Sequence, residues 1–377
     1  MAQKHQILLF ATSYLPLTGG AELALKNITD RLPDFSFDLI TGRYDLTIPA
    51  RERIGNVNVF RIGGRLAGFN FLLPKLFFPI AGFLKGREFL KEKKYDLIWV
   101  IQASQAAGAL WLLKVFGYVK QPVILNIQEG KNLHTQPWLT RLARRLILQS
   151  VDYFTVISMY LKRALLVRGI AENRIALIPN GVDMERFGSL SVHPRQHSII
   201  TVSRLVGKNA VADIIEAVAV LKRKQKIHAS LTVIGDGELK PVLLKQGRNL
   251  GLEGQIQWLG TMSHNELPKY LAEAAVFVRP SETEGLGTAF LEAMAAGVPI
   301  IGTPVGGIPD FLKDRETGLI CRVHDPEDLA RSIGELFSDS ALRARLVANA
   351  RALIQERYTW DTIARQYRKL CNYILKS

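Results

Sequence analysis

Two carboxylates, Glu284 and Glu292, stand with seven residues between them, the first opening a Gly-rich turn, and two cations, Arg204 and Lys208, lie upstream after an apolar run. The turn Glu284-Gly285-Leu286-Gly287 runs into Thr288 to Ala296, whose Ala, Leu and Met content predicts a helix closed by Gly297 and Pro299. The first amides of that helix, on Gly287, Thr288 and Ala289, have no intrahelical acceptors and carry the positive end of its dipole, which makes a candidate phosphate site. Glu292 lies one turn further on, about 6 Å by helical rise, with Glu284 back in the loop before the amides. A nucleotide sugar fits that spacing, with its sugar near Glu284, its diphosphate on the amides and its ribose hydroxyls at Glu292. A surface loop, a capped helix and two solvated glutamates are the other reading of the same residues. Arg204 and Lys208 directly follow a predicted strand, and an Arg with a Lys four residues later can place two cations over one crevice, two solvated basic side chains on a loop being the other reading.

Framed as P-S-x-x-E-G-x-G and E-A-M-A-x-G-x-P, Glu284 and Glu292 resemble the E-x7-E motif of the retaining family 4 glycosyltransferases, the group 1 glycosyl transferases of the GT-B fold. The resemblance is strong from about Val202 to Leu319 and loose over residues 40–120. It implies transfer of a hexose-type sugar from a nucleoside diphosphate donor to an acceptor hydroxyl, in the assembly of a cell-surface polysaccharide or lipid-linked glycan. It places Glu284 beside the transferred sugar, Glu292 on the ribose and Arg204 at the diphosphate, and the donor-contacting set becomes Gly285, Leu286, Gly287, Thr288 and Glu292. The family pattern R-L-x-x-x-K-G, aligned without a gap, puts its Lys on Asn209 and its Gly on Ala210, so Lys208 comes one place early. In many members a His follows the strand equivalent to Val123–Ile127, and here Gln128 takes that place. An amide can hydrogen-bond a sugar hydroxyl but cannot shuttle a proton near neutral pH. His134, six residues on, is the candidate substitute. No Asp-x-Asp pair ends a strand, so neither metal nor cofactor is implied beyond the nucleotide-sugar donor itself. A nucleotide-sugar-binding protein that has lost catalysis is the alternative, motivated by Gln128 and Asn209.

The elements that must position these residues follow a β/α rhythm. Apolar runs at Ile7–Phe10, Asp38–Thr41, Val57–Ile62, Leu97–Ile101, Val123–Ile127 and Tyr153–Ile157 alternate with helical segments, which predicts an open parallel sheet with helices on both faces. Gly19 and Gly20, after the first run, place a helix start where backbone can approach a ligand. The rhythm pauses at the polar stretch Gly188–His197 and restarts with Ile199–Val202, Ala229–Ile234, Ile256–Leu259, Val276–Val278, Val298–Ile301 and Gly318–Cys321. The expected fold class is therefore α/β, with two Rossmann-like domains facing across a cleft. Residues 1–187 form the acceptor side, 188–357 the donor side, and 358–377 a final helix packing back on the first domain. Gln128 is expected to face that cleft from the first domain, and Arg204 and Glu284 from the second. Over Ser340–Lys376 the apolar positions Leu342, Leu346, Ala350, Leu353 and Ile354 recur at helical spacing and read as packing.

At 377 residues the chain has room for two cored domains, and 48% hydrophobic content excludes a disordered chain. The net charge of +15 favours an anionic partner, and the excess is uneven: residues 1–190 carry 25 Lys and Arg against 14 Asp and Glu, the remainder 24 against 20. Cys321 and Cys371 are far apart and belong to no Cys/His cluster, which argues against a zinc site or a disulfide framework and for a reducing cytoplasm. The apolar runs Phe69–Leu84 and Ala106–Val119 are interrupted by charge and fall short of the roughly 18–20 residues that cross a bilayer. A peripheral position on an anionic membrane is expected instead, through Phe69, Phe71, Leu72, Leu73, Leu76, Phe77, Phe78, Ile80, Phe83 and Leu84 beside Lys75, Lys85, Arg87, Lys91, Lys93 and Lys94. No strand is followed by G-x-G-x-x-G with an acidic residue about twenty positions on, which excludes a nicotinamide-dependent dehydrogenase. Charge without a recognisable module does not indicate nucleic acid.

Overall fold

The computed structural model describes residues 4–17, 19–63, 72–128, 138–189 and 193–376, with the side chains of 72–74 and 139 outside that description. Phe69, Phe71 and His134, and the side chains of Leu72 and Leu73, lie outside the described residues. The chain divides into two compact units, one of residues up to Pro179 together with Ile363 onwards, the other Asn180–Thr362.

In the first unit the apolar runs become strands joined by helices: β1 (His5–Phe10), α1 (Gly20–Asp30), β2 (Phe35–Gly42), β3 (Arg51–Ile54), β4 (Val57–Ile62), α2 (Leu72–Glu92), β5 (Leu97–Ile101), α3 (Gln105–Val115), β6 (Val123–Ile127), α4 (Trp138–Gln149), β7 (Tyr153–Val156), α5 (Met159–Leu166) and β8 (Ile175–Leu177). The strands order as β3-β4-β2-β1-β5-β6-β7-β8. All neighbours run parallel except β3, which turns back on β4 through Gly55 and Asn56. That antiparallel edge departs from the all-parallel expectation. Arg51-Glu52-Arg53-Ile54 has no buried residue to announce a strand, and its charges suit an edge that must not recruit another chain. Strands covered on both faces are apolar throughout, as β5 is, with every residue buried.

The second unit repeats the rhythm: α6 (Met184–Gly188), β9 (Ser198–Val202), α7 (Val211–Val220), β10 (Ser230–Ile234), α8 (Lys240–Asn249), β11 (Ile256–Gly260), α9 (Leu267–Ala272), β12 (Val276–Arg279), α10 (Thr288–Ala296), β13 (Ile300–Gly302), β14 (Leu319–Ile320), α11 (Pro326–Ser338) and α12 (Ser340–Arg357). Its sheet orders as β11-β10-β9-β12-β13-β14, all parallel. The tail is two helices. The α12 helix ends at Arg357 and is capped by Tyr358, and α13 (Trp360–Ile374) follows and from Ile363 onwards belongs to the first unit. There Tyr367 stacks on Trp99, with ring centroids 4.9 Å apart, and its hydroxyl accepts from the Asn126 amide at 3.0 Å. Along α12, Leu342, Leu346, Ala350 and Ile354 are buried as the stripe requires, while Leu353 is only half-buried. Burial pushes the thiols of Cys321 and Cys371 up to about 12, so neither is a poised nucleophile.

Candidate functional site

Strand order decides where the second unit can bind. Its sheet reverses direction of build between β9 and β12, which pair directly, Ile200 opposite Phe277. The loops leaving the carboxyl ends of those two strands therefore emerge side by side, and a crevice at such a reversal is where open α/β sheets take ligands. One of these loops carries Arg204 and Lys208, and the other carries Glu284 and leads into α10. A backbone bond from Glu282 N to Lys208 O, 2.8 Å, ties them together.

The α10 helix spans Thr288–Ala296 between two left-handed residues, Gly287 at φ 90° and Gly297 at φ 79°. It is buried on all sides from Phe290 onward, which is why its sequence is Ala-rich and apolar throughout. Phe290 anchors it, edge-on to Phe277 at 5.1 Å and beside Phe311 at 5.6 Å. Only the amino end reaches the loops. No side chain caps it, so the leading amides keep their donor capacity for a ligand.

Glu292 is 8% exposed and its Oε1 lies 2.7 Å from His264 Nε2. His264 Nδ1 lies 2.9 Å from Arg186 Nη1. A guanidinium can only donate, so Nδ1 accepts and the ring's proton is on Nε2, donated to Glu292. One carboxylate oxygen is thereby fixed while Oε2 takes no hydrogen bond among the described residues. Sequence reasoning missed His264 because it sits 28 residues before Glu292 in a short turn with no pattern of its own.

Glu284 is held from two sides. Its carbonyl accepts from Gly307 N at 3.1 Å, and its Oε2 accepts from Arg279 Nη2 at 2.6 Å. The same Nη2 donates to Asn209 Oδ1 at 3.2 Å, and Asn209 Nδ2 donates to the Arg204 carbonyl at 2.6 Å. One polar chain thus joins Glu284, Arg279, Asn209 and the backbone of Arg204. The Arg204 side chain is exposed and Lys208 is half-buried, neither in an ion pair among the described residues. Gly285 and Leu286 complete the turn, with Leu286 buried beneath it.

In the first unit Gln128 is half-buried immediately after β6. Gly19 precedes α1 in extended conformation and Gly20 opens it, both exposed, with no side-chain cap.

Two family models match the chain, Glycosyltransferase Family 4 over residues 18–186 and Glycosyl transferases group 1 over residues 185–353. The chain belongs to this family. It is a glycosyltransferase of the GT-B type. Among curated relatives it is 25% identical to an uncharacterized glycosyltransferase of Methanocaldococcus jannaschii, covering 93% of each chain. It is 24% identical to a GDP-mannose-dependent alpha-(1-6)-phosphatidylinositol monomannoside mannosyltransferase of Mycobacterium tuberculosis, over 95% of this chain and 96% of that one. Among solved structures, sucrose-phosphate synthase from Thermosynechococcus elongatus superposes with a TM-score of 0.85 at 19% identity, covering 99% of this chain and 100% of that one. Anabaena HepE in complex with UDP and glucose superposes with 0.77 at 20% identity, covering 98% and 100%. At such identities these are likenesses of fold.

Two places where this glycosyltransferase departs from the R-L-x-x-x-K-G pattern have visible consequences. Ala210 occupies the pattern's glycine position in left-handed conformation, φ 48°, directly before α7, which is the backbone state glycine serves best. Asn209 is 1% exposed and bonded at both ends of its amide, so it is built into the loop rather than left vacant by a lost lysine.

Proposed function

We propose that this glycosyltransferase moves a hexose-type sugar, with retention and without a metal, from a nucleoside diphosphate-sugar to a hydroxyl of a glycan or lipid-linked acceptor. The observation that carries this is the meeting, at the reversal of the second sheet, of uncapped α10 amides, the Arg204–Lys208 loop, the half-buried carboxylate of Glu284 and the buried one of Glu292. The amides and the cations take the diphosphate, Glu292 accepts from the ribose hydroxyls, and Glu284 accepts from the sugar. The acceptor oxygen bonds to the anomeric carbon as the bond to the donor phosphate breaks on the same face. The acceptor's proton passes to that phosphate, and the nucleoside diphosphate departs. Gln128, in this reading, orients a sugar hydroxyl and carries no proton. The binding of UDP and glucose by HepE and the use of GDP-mannose by the mycobacterial relative support a nucleotide-sugar donor.

Incubation with a panel of UDP-, GDP- and ADP-sugars and a lipid-extract acceptor, read by mass spectrometry, is the test. A glycosylated product with one donor is the expected result. Binding of a donor without turnover of any would overturn the reading in favour of a nucleotide-sugar-binding protein.

The acceptor side of the proposal is a membrane surface. In α2 the side chains of Leu76, Phe77, Ile80 and Leu84 recur along one face and are 49–70% exposed, while Phe78 is buried. The α3 helix contacts both α2 and α4, and α4 presents exposed Trp138, Leu142 and Leu146 at four-residue spacing with Arg141 and Arg145 beside them. No helix among the described residues is long and apolar enough to cross a membrane. Such helices suit the headgroup region of an anionic leaflet, on the cytoplasmic face in this reading. The protein should float with anionic liposomes at low salt and dissociate at high salt. Failure to float at low salt would defeat this part of the proposal.

A further inference from the structure

The polar chain that joins Glu284 to Arg279 and Asn209 points to a residue that the motifs do not mark. Arg279 is the last residue of β12, where the preceding residues Val276, Phe277 and Val278 are buried and apolar. Its side chain is 11% exposed and that of Glu284 13%. A guanidinium so enclosed must be matched by acceptors. It has Glu284 and Asn209 on Nη2, whereas Nε is buried with no partner among the described residues. The cation therefore holds donor capacity that the protein does not use.

We propose that Arg279 is a further cation of the donor diphosphate subsite, beside Arg204 and Lys208, in the space that R-L-x-x-x-K-G fills from position 209, and that Asn209 is the neutral acceptor that keeps it there. The inference rests on the donor-site reading above. A lysine at 209 would carry its ammonium past the point where the Asn209 amide ends, into the space that Arg279 Nη2 occupies 3.2 Å away. Two cations cannot share that enclosed spot, since like charges at such a separation repel strongly where water is excluded. The site accommodates a lysine at 209 or an arginine at 279, and this chain has the arginine. The pairing of β9 with β12 makes the exchange possible, because it brings position 209 and position 279 to one end of adjacent strands. Without donor, Glu284 and Arg279 neutralise each other. A diphosphate adds the acceptors that the planar guanidinium is shaped to take, and Glu284 is left to the sugar.

The test compares Arg279→Leu, Arg279→Lys, Asn209→Lys and the double variant Asn209→Lys/Arg279→Leu, with nucleoside di- and monophosphate affinities measured by calorimetry and folding by thermal melts. Arg279→Leu should weaken diphosphate binding about tenfold and monophosphate binding less than about threefold, because the second phosphate is what the cation meets. Arg279→Lys should retain more diphosphate affinity than Arg279→Leu. Asn209→Lys alone should lose as Arg279→Leu does, and the double variant should return to within about threefold of the wild type. A double variant no better than either single change, or equal losses for di- and monophosphates, would overturn the assignment. Wild-type protein that binds no nucleoside diphosphate would sink the donor-site reading and this inference together, whereas tight wild-type binding with an indifferent Arg279→Leu sinks this inference alone.

Discussion

Replacement of Glu292 by alanine is expected to weaken nucleoside diphosphate binding by at least about tenfold while leaving the second unit folded. A charge-assisted hydrogen bond to a ribose hydroxyl contributes about 1.5–3 kcal/mol, and about 1.4 kcal/mol corresponds to one decade of affinity. The carboxylate is preorganised for that role, since His264 fixes Oε1 at 2.7 Å and is itself oriented by Arg186 at 2.9 Å. Loss of the carboxylate leaves the His264 ring without its acceptor, but its side chain is 32% exposed and water can replace the partner. Glu292→Gln separates charge from geometry, because an amide oxygen still accepts from His264 and the loss should then be smaller than for alanine. Calorimetry with ribo- and 2′,3′-dideoxynucleotides decides the matter. Removing the hydroxyls should cost the wild type much of its affinity and cost the alanine variant almost nothing further. Equal affinity of wild type and variant for every nucleoside diphosphate tested would take Glu292 out of the site.

The donor half of this picture was legible in the sequence because its signals are local. Gly287 and Gly297 bracket a run of strong helix formers, and the helix occupies the predicted Thr288–Ala296. Alternating apolar runs announced the parallel strands for the same reason. Contacts made by single polar residues across long separations were not legible. Arg279 reads in sequence as the residue after a short apolar strand, and nothing nearby says that its guanidinium turns to Asn209, 70 positions away, and to Glu284. Asn209 looked like the loss of a lysine, and only the packing shows an amide bonded at both ends. The strand β3 was missed because its residues have no buried face to pattern. The exposed stripe on α4 was hidden for the opposite reason: Trp138, Leu142 and Leu146 have the spacing of a packed face, and spacing alone does not tell which face is covered.

Gly306→Ala should lower turnover about 100-fold while changing nucleotide affinity less than about threefold, a split that follows from where the new methyl group would go. A Cβ at this position would lie 1.9 Å from the Glu284 carbonyl oxygen and 2.9 Å from the Glu284 nitrogen, both backbone atoms that cannot rotate aside. Gly306 also sits at φ 56°, where a side chain costs about 1–2 kcal/mol. Relief requires the Glu284 backbone to retreat by roughly 1 Å, and a displacement of that size at a reacting centre is enough to cost about two decades in rate. The bond from Gly307 N to the Glu284 carbonyl would be stretched by the same movement. The α10 helix and Glu292 are held independently, by Phe290 against Phe277 and Phe311 and by His264, so the ribose grip should persist. Gly254→Ala is the matched control, because a Cβ there meets nothing within 4 Å. Steady-state turnover, calorimetric affinity and melting temperature on the two variants give the answer. Turnover of Gly306→Ala near the wild-type rate would mean that the position of Glu284 does not limit transfer, and parallel loss of affinity and turnover would mean that the Glu284 turn and the nucleotide grip move as one body.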